Sequence, residues 1–210
     1  MRSWKRNISQ IVWGALLPLS LVPHAWATTY ALSGATYDPA LSFGAYTRAT
    51  GITGSFTTAS PLPANLNNTA IAGGTGGLGL VTSWSFNDGL FTYTPASSAI
   101  WLGEGSSFAV STDSAGNITT FFIVLTIPRI QAVVGQDTEF LFLGFDGPGT
   151  FGANRSICTT LLAPGGPCSF YQITTDSAFS PPKIANATFS SVPCQLNRKG
   201  KCRSSRRNRP

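Results

Sequence analysis

Glu104 and Glu139 are the only glutamates in a chain of 210 residues. Glycoside hydrolysis needs no more than two carboxylates, provided they flank one bond. Glu104 follows Trp101 by three positions, and an indole can serve as a stacking platform for a sugar ring. The sequence favours the plainer reading, a surface carboxylate beside a core-edge tryptophan, because spacing alone does not bring two acids together. Trp101 and Glu104 are therefore candidate residues of a ligand-binding loop, and no catalytic residue is assigned.

Other chemistries are narrower still. The single histidine, His24, falls in a leader-like segment, so the mature chain lacks imidazole. That excludes Ser-His-Asp and Cys-His catalysis and histidine-ligated zinc. A Ser-Lys dyad would have to use Lys183, which sits in the turn-like Pro181-Pro182-Lys183. Gly74-Thr75-Gly76-Gly77-Leu78-Gly79 matches GxGxxG, but Leu80–Phe86 reads as a strand where a dinucleotide site needs a helix. A flexible glycine loop is the expected outcome. Asp113-Ser114-Ala115-Gly116-Asn117 and Asp146-Gly147 offer oxygen ligands for calcium without EF-hand spacing, and both make good turns without metal. No metal and no cofactor is expected. Asn67, Asn117, Asn154 and Asn186 open glycosylation-type triplets that a chain rich in Asn, Ser and Thr produces by chance.

The ends of the chain differ from its body. Arg2, Lys5 and Arg6 precede an apolar stretch from Ile8 to Val22, and Ala25-Trp26-Ala27 closes it with a cleavage signature. Ser9, Gln10, Pro18 and Ser20 interrupt the stretch, which argues against a spanning helix. Residues 1–27 are read as a signal peptide, 28–193 as one domain and 194–210 as a disordered basic tail. The body carries four basic and eight acidic residues, whereas the tail carries seven basic ones and no acid. The overall charge of +6 thus describes the two ends, and no specific nucleic-acid partner is expected of the body.

In an exported chain, Cys158, Cys168, Cys194 and Cys202 favour disulfides, with three pairings open. Pro164-Gly165-Gly166-Pro167 turns the chain between Cys158 and Cys168, and closing so short a loop stabilises by about 2–3 kcal/mol. Cys194–Cys202 follows by elimination. Zinc is disfavoured by the absence of CxxC spacing.

The elements that must hold these residues are strands. Hydrophobic residues make up 42% of the chain and charged ones 10%, and short Val-, Ile-, Thr- and aromatic-rich runs alternate with turn residues. Leu80, Thr82, Trp84 and Phe86 alternate with Val81, Ser83, Ser85 and Asn87, and Asp88-Gly89 then suits a two-residue type I′ turn. That turn would set Phe86 opposite Phe91 and Trp84 opposite Tyr93. A second hairpin joins Ser107–Thr112 to Ile118–Ile127 through Asp113–Asn117, and Glu139–Phe145 reads as a strand buried on both faces. Further strands are expected at Tyr30–Tyr37, Gly51–Thr58, Ser156–Leu161, Phe170–Thr175 and Ile184–Ser191. About nine or ten strands imply an all-β fold, a single antiparallel β-sandwich or barrel-like domain. Ala59–Gly79 and Pro95–Gly105 are long loops, the usual location of function on such a scaffold.

Four stretches carry a resemblance: Tyr30-Ala31-Leu32-Ser33-Gly34-Ala35-Thr36-Tyr37-Asp38, Thr53-Gly54-Ser55-Phe56-Thr57, Thr82-Ser83-Trp84-Ser85-Phe86-Asn87-Asp88-Gly89 and Ser111-Thr112-Asp113-Ser114-Ala115-Gly116-Asn117-Ile118. From about Thr29 to Ser191 the chain resembles uncharacterised bacterial secreted β-rich proteins, many of which end in a PEP-CTERM sorting signal. The resemblance implies a fold and an exported location and transfers no catalytic residues. The chain departs from it after Val192-Pro193, where Cys194-Gln195 and the basic tail follow with no apolar span. The expected function is a non-enzymatic exported domain with a structural, cell-surface or matrix role, secreted, periplasmic or surface-attached, without a transmembrane anchor once the signal is cleaved. The alternatives are a carbohydrate-binding module using Trp101, with an extracellular polysaccharide as partner, and a carboxylate-dependent glycoside hydrolase using Glu104.

Overall fold

The structure is a computed structural model that describes residues 27–101, 105–129, 133–144, 149–164, 168–181, 187–193, 195–196 and 202–203. The strands are β1 (Thr28–Ser33), β2 (Ser42–Phe43), β3 (Thr53–Thr58), β4 (Thr69–Ala70), β5 (Val81–Asn87), β6 (Thr92–Tyr93), β7 (Ala99–Ile100), β8 (Phe108–Thr112), β9 (Ile118–Ile127), β10 (Asp137–Leu143), β11 (Phe151–Leu161), β12 (Cys168–Phe179), β13 (Thr188–Pro193), β14 (Gln195–Leu196) and β15 (Cys202–Arg203). Nine of them have five or more residues, and no α-helix occurs among the described residues. No described helix is long and apolar enough to cross a membrane.

All pairings are antiparallel. One sheet runs β13-β1-β3-β5-β6, and the other runs β2-β12-β11-β10-β9-β8-β4 with β7 also beside β9. The two are the layers of a sandwich. Within the basic tail, β14 pairs with β15.

Register explains the core. Tyr30, Phe56 and Trp84 lie directly opposite one another across β1, β3 and β5, which puts three rings on one face of the smaller sheet. Tyr30 stacks on Phe56 at 5.0 Å, and Phe56 meets Phe108 of the larger sheet edge-on at 5.3 Å. Phe189 of β13 bridges Phe56 and Phe121 at 5.3 and 5.0 Å. Such pairs add to the burial energy of the rings themselves. Gly54 has to be glycine here: its φ is 146° and a Cβ would run into the Ser85 carbonyl and the Phe86 Cα.

The 108–127 hairpin forms as its sequence implies. The Asp113 carboxylate accepts hydrogen bonds from the Ala115 and Asn117 amides and from Asn117 Nδ2, while Gly116 takes the positive φ. The β5–β6 hairpin differs from expectation. Phe86 pairs with Tyr93 and Asn87 with Thr92, so the turn holds four residues, Asp88 to Phe91. Only Gly89 has positive φ, and a type I′ turn would need it at Asp88 too. Tyr93 consequently lies opposite Phe86 and not Trp84. The physical reason is that the Asp88 carboxyl group turns into the core, where donors await it.

The long loop at 59–79 is part of the core as well as a connection. Leu62, Ile71 and Ala72 are buried, the Leu62 amide donates to the Tyr30 hydroxyl at 2.7 Å, and the Ile71 carbonyl accepts from Leu80 and Val81. Its glycine tip stands open, with nothing near Gly73, Gly76 or Gly79, and Pro63 to Asn65 are exposed as well. The loop at 95–105 likewise contributes β7 to the larger sheet.

Truncating the ring at the centre of this cluster, Phe56→Ala, should cost about 3–5 kcal/mol in denaturant unfolding. A loss below about 1 kcal/mol would show that the aromatic contacts do not organise the core.

Candidate functional site

Among the described residues, a buried polar cluster, a partly exposed ion-pair cluster and a cleft bring chemically active groups together. The first centres on Asp88, which is fully buried. Its Oδ1 accepts from the amides of Leu90 and Phe91 at 2.9 and 2.7 Å. Its Oδ2 accepts from the hydroxyls of Tyr46 and Tyr93 at 2.7 and 2.9 Å, and its carbonyl accepts from the Tyr37 hydroxyl at 3.1 Å. Tyr46 comes from a 3-10 turn at Gly44–Arg48 and Tyr93 from β6. Burial pushes all three phenols well above their ordinary pKa, and the Asp88 charge pushes them the same way. All three stay protonated as donors, Tyr46 and Tyr93 to the carboxylate and Tyr37 to the Asp88 carbonyl, which makes phenolate chemistry unavailable to them.

The second cluster centres on Arg155. In the β10–β11 register Arg155 lies opposite Glu139. Its Nε approaches Glu139 Oε1 at 3.1 Å, its Nη2 approaches Asp137 Oδ2 at 3.1 Å and its Nη1 approaches Asp176 Oδ2 at 3.7 Å. The Nε contact is an ion pair without hydrogen-bond alignment, and Glu139 Oε2 is buried with no partner. Burial therefore dominates and pushes the Glu139 carboxyl up to about 7, with Arg155 opposing and Asp88, Asp137 and Asp176 adding to the rise. Asp176 Oδ1 accepts from the Ala45 amide at 3.0 Å. Since Ala45 precedes Tyr46, the 44–48 turn ties the two clusters together.

A carboxyl group pushed up to about 7 beside other acids resembles the general acid of a glycosidase. Here the resemblance stops at electrostatics. Glu139 is 5% exposed and shares one face of β10 with the core residues Leu141 and Leu143, so it faces the interior of the sandwich. The open cleft is on the opposite face of the same strands. It encloses about 210 Å³ and is lined by Phe142, Thr150, Phe151, Gly152, Asn154, Ile173 and Phe179. Phe142, Gly152 and Phe179 are direct cross-strand neighbours, and the Phe179 ring fills the space that a side chain at Gly152 would need.

Trp101 is half-buried, and its indole N–H is buried with no hydrogen-bond acceptor. Glu104, Lys183, Asp146-Gly147, Asn186, Cys194 and residues 1–26 of the segment read as a signal peptide lie outside the described residues. Cys158 and Cys168 form the expected disulfide with both residues buried. Cys202 begins β15, opposite Leu196. The glycine-rich loop leads into β5 and not into a helix, so it lacks the helix N-terminus a pyrophosphate requires. Among the described residues no group of three or more metal-ligating side chains converges. Asn154 is buried, which closes that triplet to glycosylation in the folded chain.

The sequence reading missed Asp88 and Arg155 as organising groups. Asn-Asp-Gly signals a turn whichever way its carboxylate points. Arg155 carried a usable signal: it is one of only four basic residues in an otherwise acidic body. No protein-family model matches the chain, and no curated protein or solved structure matches it.

Because Glu139 binds its proton more tightly in the folded state than the ordinary glutamate value near 4.3 allows, stability should fall as pH rises from about 4.5 to 7 and then level off. Glu139→Gln should flatten that slope and gain on the order of 2 kcal/mol at pH 8, measured by denaturant unfolding across pH. An unchanged slope in the variant would remove Glu139 as its source.

Proposed function

We propose that the protein is an exported, non-enzymatic bacterial β-sandwich with a structural role at the cell surface or in the extracellular matrix. The observation that carries this reading is the Cys158–Cys168 disulfide, formed between two fully buried cysteines at the turn end of the β11–β12 hairpin. Disulfides of this kind persist in oxidising compartments. The arrangement of charge supports the same reading. Asp88 is consumed by tyrosine hydroxyls and backbone amides, and Asp137, Glu139 and Asp176 share one guanidinium. Those groups hold the two sheets and the 44–48 turn in place, which is work done for the fold.

Intact-mass analysis of protein recovered from a bacterial host tests the export reading. The expected product begins at Thr28, is found outside the cytosol and carries oxidised cysteines. Protein confined to the cytosol with Met1 retained and free thiols would overturn it. A glycan screen of the same material separates the structural role from carbohydrate binding: no retention is expected, whereas retention abolished by Trp101→Ala would establish the binding module instead.

A further inference from the structure

The two sheets end in strands of very different character. On one side β12 pairs with β11, and on the other it pairs only at Ser177 and Ala178, with β2. No described strand lies beside residues 168–175 on that side. An uncovered strand edge presents a row of backbone donors and acceptors, and natural proteins usually blunt it with lysine, proline or an irregularity. The run Cys168-Ser169-Phe170-Tyr171-Gln172-Ile173 has no charge, no proline and no glycine. Its β11 register shifts on either side of Phe170, and the regular stretch is Tyr171-Gln172-Ile173, paired with Cys158, Ile157 and Ser156. Its end is clamped by the disulfide to Cys158, so the hairpin need not be ordered on meeting a partner. Phe170 is 65% exposed and Ile173 58%.

The geometry points to a homotypic docking edge: two copies of this chain pair antiparallel through β12, extending the larger sheet across a two-fold axis. Self-pairing is favoured by the charge pattern. An isologous contact sets each segment against itself, so any charge within it would meet its own copy, and this segment has none. A two-fold centred on Gln172 sets Tyr171 opposite Ile173 of the partner on both sides of the axis. That gives two aromatic–β-branched pairs of the sort that stabilise neighbouring strands. The other open edges fit a second copy less well. β13 runs into the tail with its seven basic residues, so pairing there would bring two such tails together. The uncovered part of β5 presents the polar Thr82, Ser83 and Ser85. The inference goes beyond the structural role proposed above, and it supplies a means by which such a role could be exercised.

Sedimentation of the oxidised full chain over a roughly hundredfold concentration range is the test, since association is governed by mass action. The wild type should form dimers. Gln172→Lys, which sets two ammonium groups face to face at the axis, should weaken dimerisation by up to about fivefold with circular dichroism and melting unchanged. Ser190→Lys on the outer edge of β13 should leave it intact. If Gln172→Lys misfolds, Gln172→Cys serves instead: a cross-linked dimer on a non-reducing gel is the expected result, and its absence counts against the proposal. A wild type monomeric throughout, a dimer indifferent to Gln172→Lys, or association lost only on removing residues 194–210 would each overturn it.

Discussion

A carboxylate can leave water only where donors replace its hydration, and a buried one left short of them costs several kcal/mol. Asp88 meets that demand with four donors on its carboxylate and a fifth on its carbonyl. Two come from its own turn, and the others come from Tyr37, Tyr46 and Tyr93. Tyr37 and Tyr46 lie 51 and 42 residues away in the chain. They reach Asp88 only when β1, β3 and β5 are in native register and the 44–48 turn is seated on β12. The interaction therefore specifies the arrangement as well as stabilising it, since a slipped strand would strand both the carboxylate and the phenols.

Arg155 extends the constraint into the larger sheet. Its three carboxylates lie on β10 and β12, and one of them, Asp176, holds the turn that carries Tyr46. Hydrogen bonds and ion pairs thus connect β12, the 44–48 turn and the β5–β6 hairpin in one network. Around it the aromatic cluster of Tyr30, Phe56, Phe108 and Phe189 supplies the non-directional burial. The apolar contacts hold the two layers together, and the polar network fixes how they sit. Glu139 carries the cost of this design, a buried acid whose second oxygen has no partner.

Local patterns in the sequence translated well wherever a short segment decides its own structure. The Asp113–Asn117 turn, the β8–β9 hairpin, the sandwich class and the Cys158–Cys168 bridge all follow from residues close together in the chain. The errors arose where a distant partner decides. Asp88-Gly89 has the composition of a two-residue turn, but the carboxylate answers to Tyr46 and Tyr93, and the loop widens to four residues. The 59–79 segment looks like a surface loop by its glycines, yet Leu62 and Ile71 are drawn into the core by Tyr30 and β5. The site was less legible than the fold for the same reason. Glu139 stood out as a rare glutamate, but its burial and its pairing with Arg155 depend on a strand register that no local pattern encodes.

The most direct test of the account is the unfolding free energy of Asp88→Ala against wild type. The variant leaves the Tyr46 and Tyr93 hydroxyls and two amides without their acceptor, and it should lose about 3–5 kcal/mol, the range for breaking a buried charged network by removing one partner. A loss below about 1 kcal/mol would contradict the claim that this carboxylate governs the register of the sandwich.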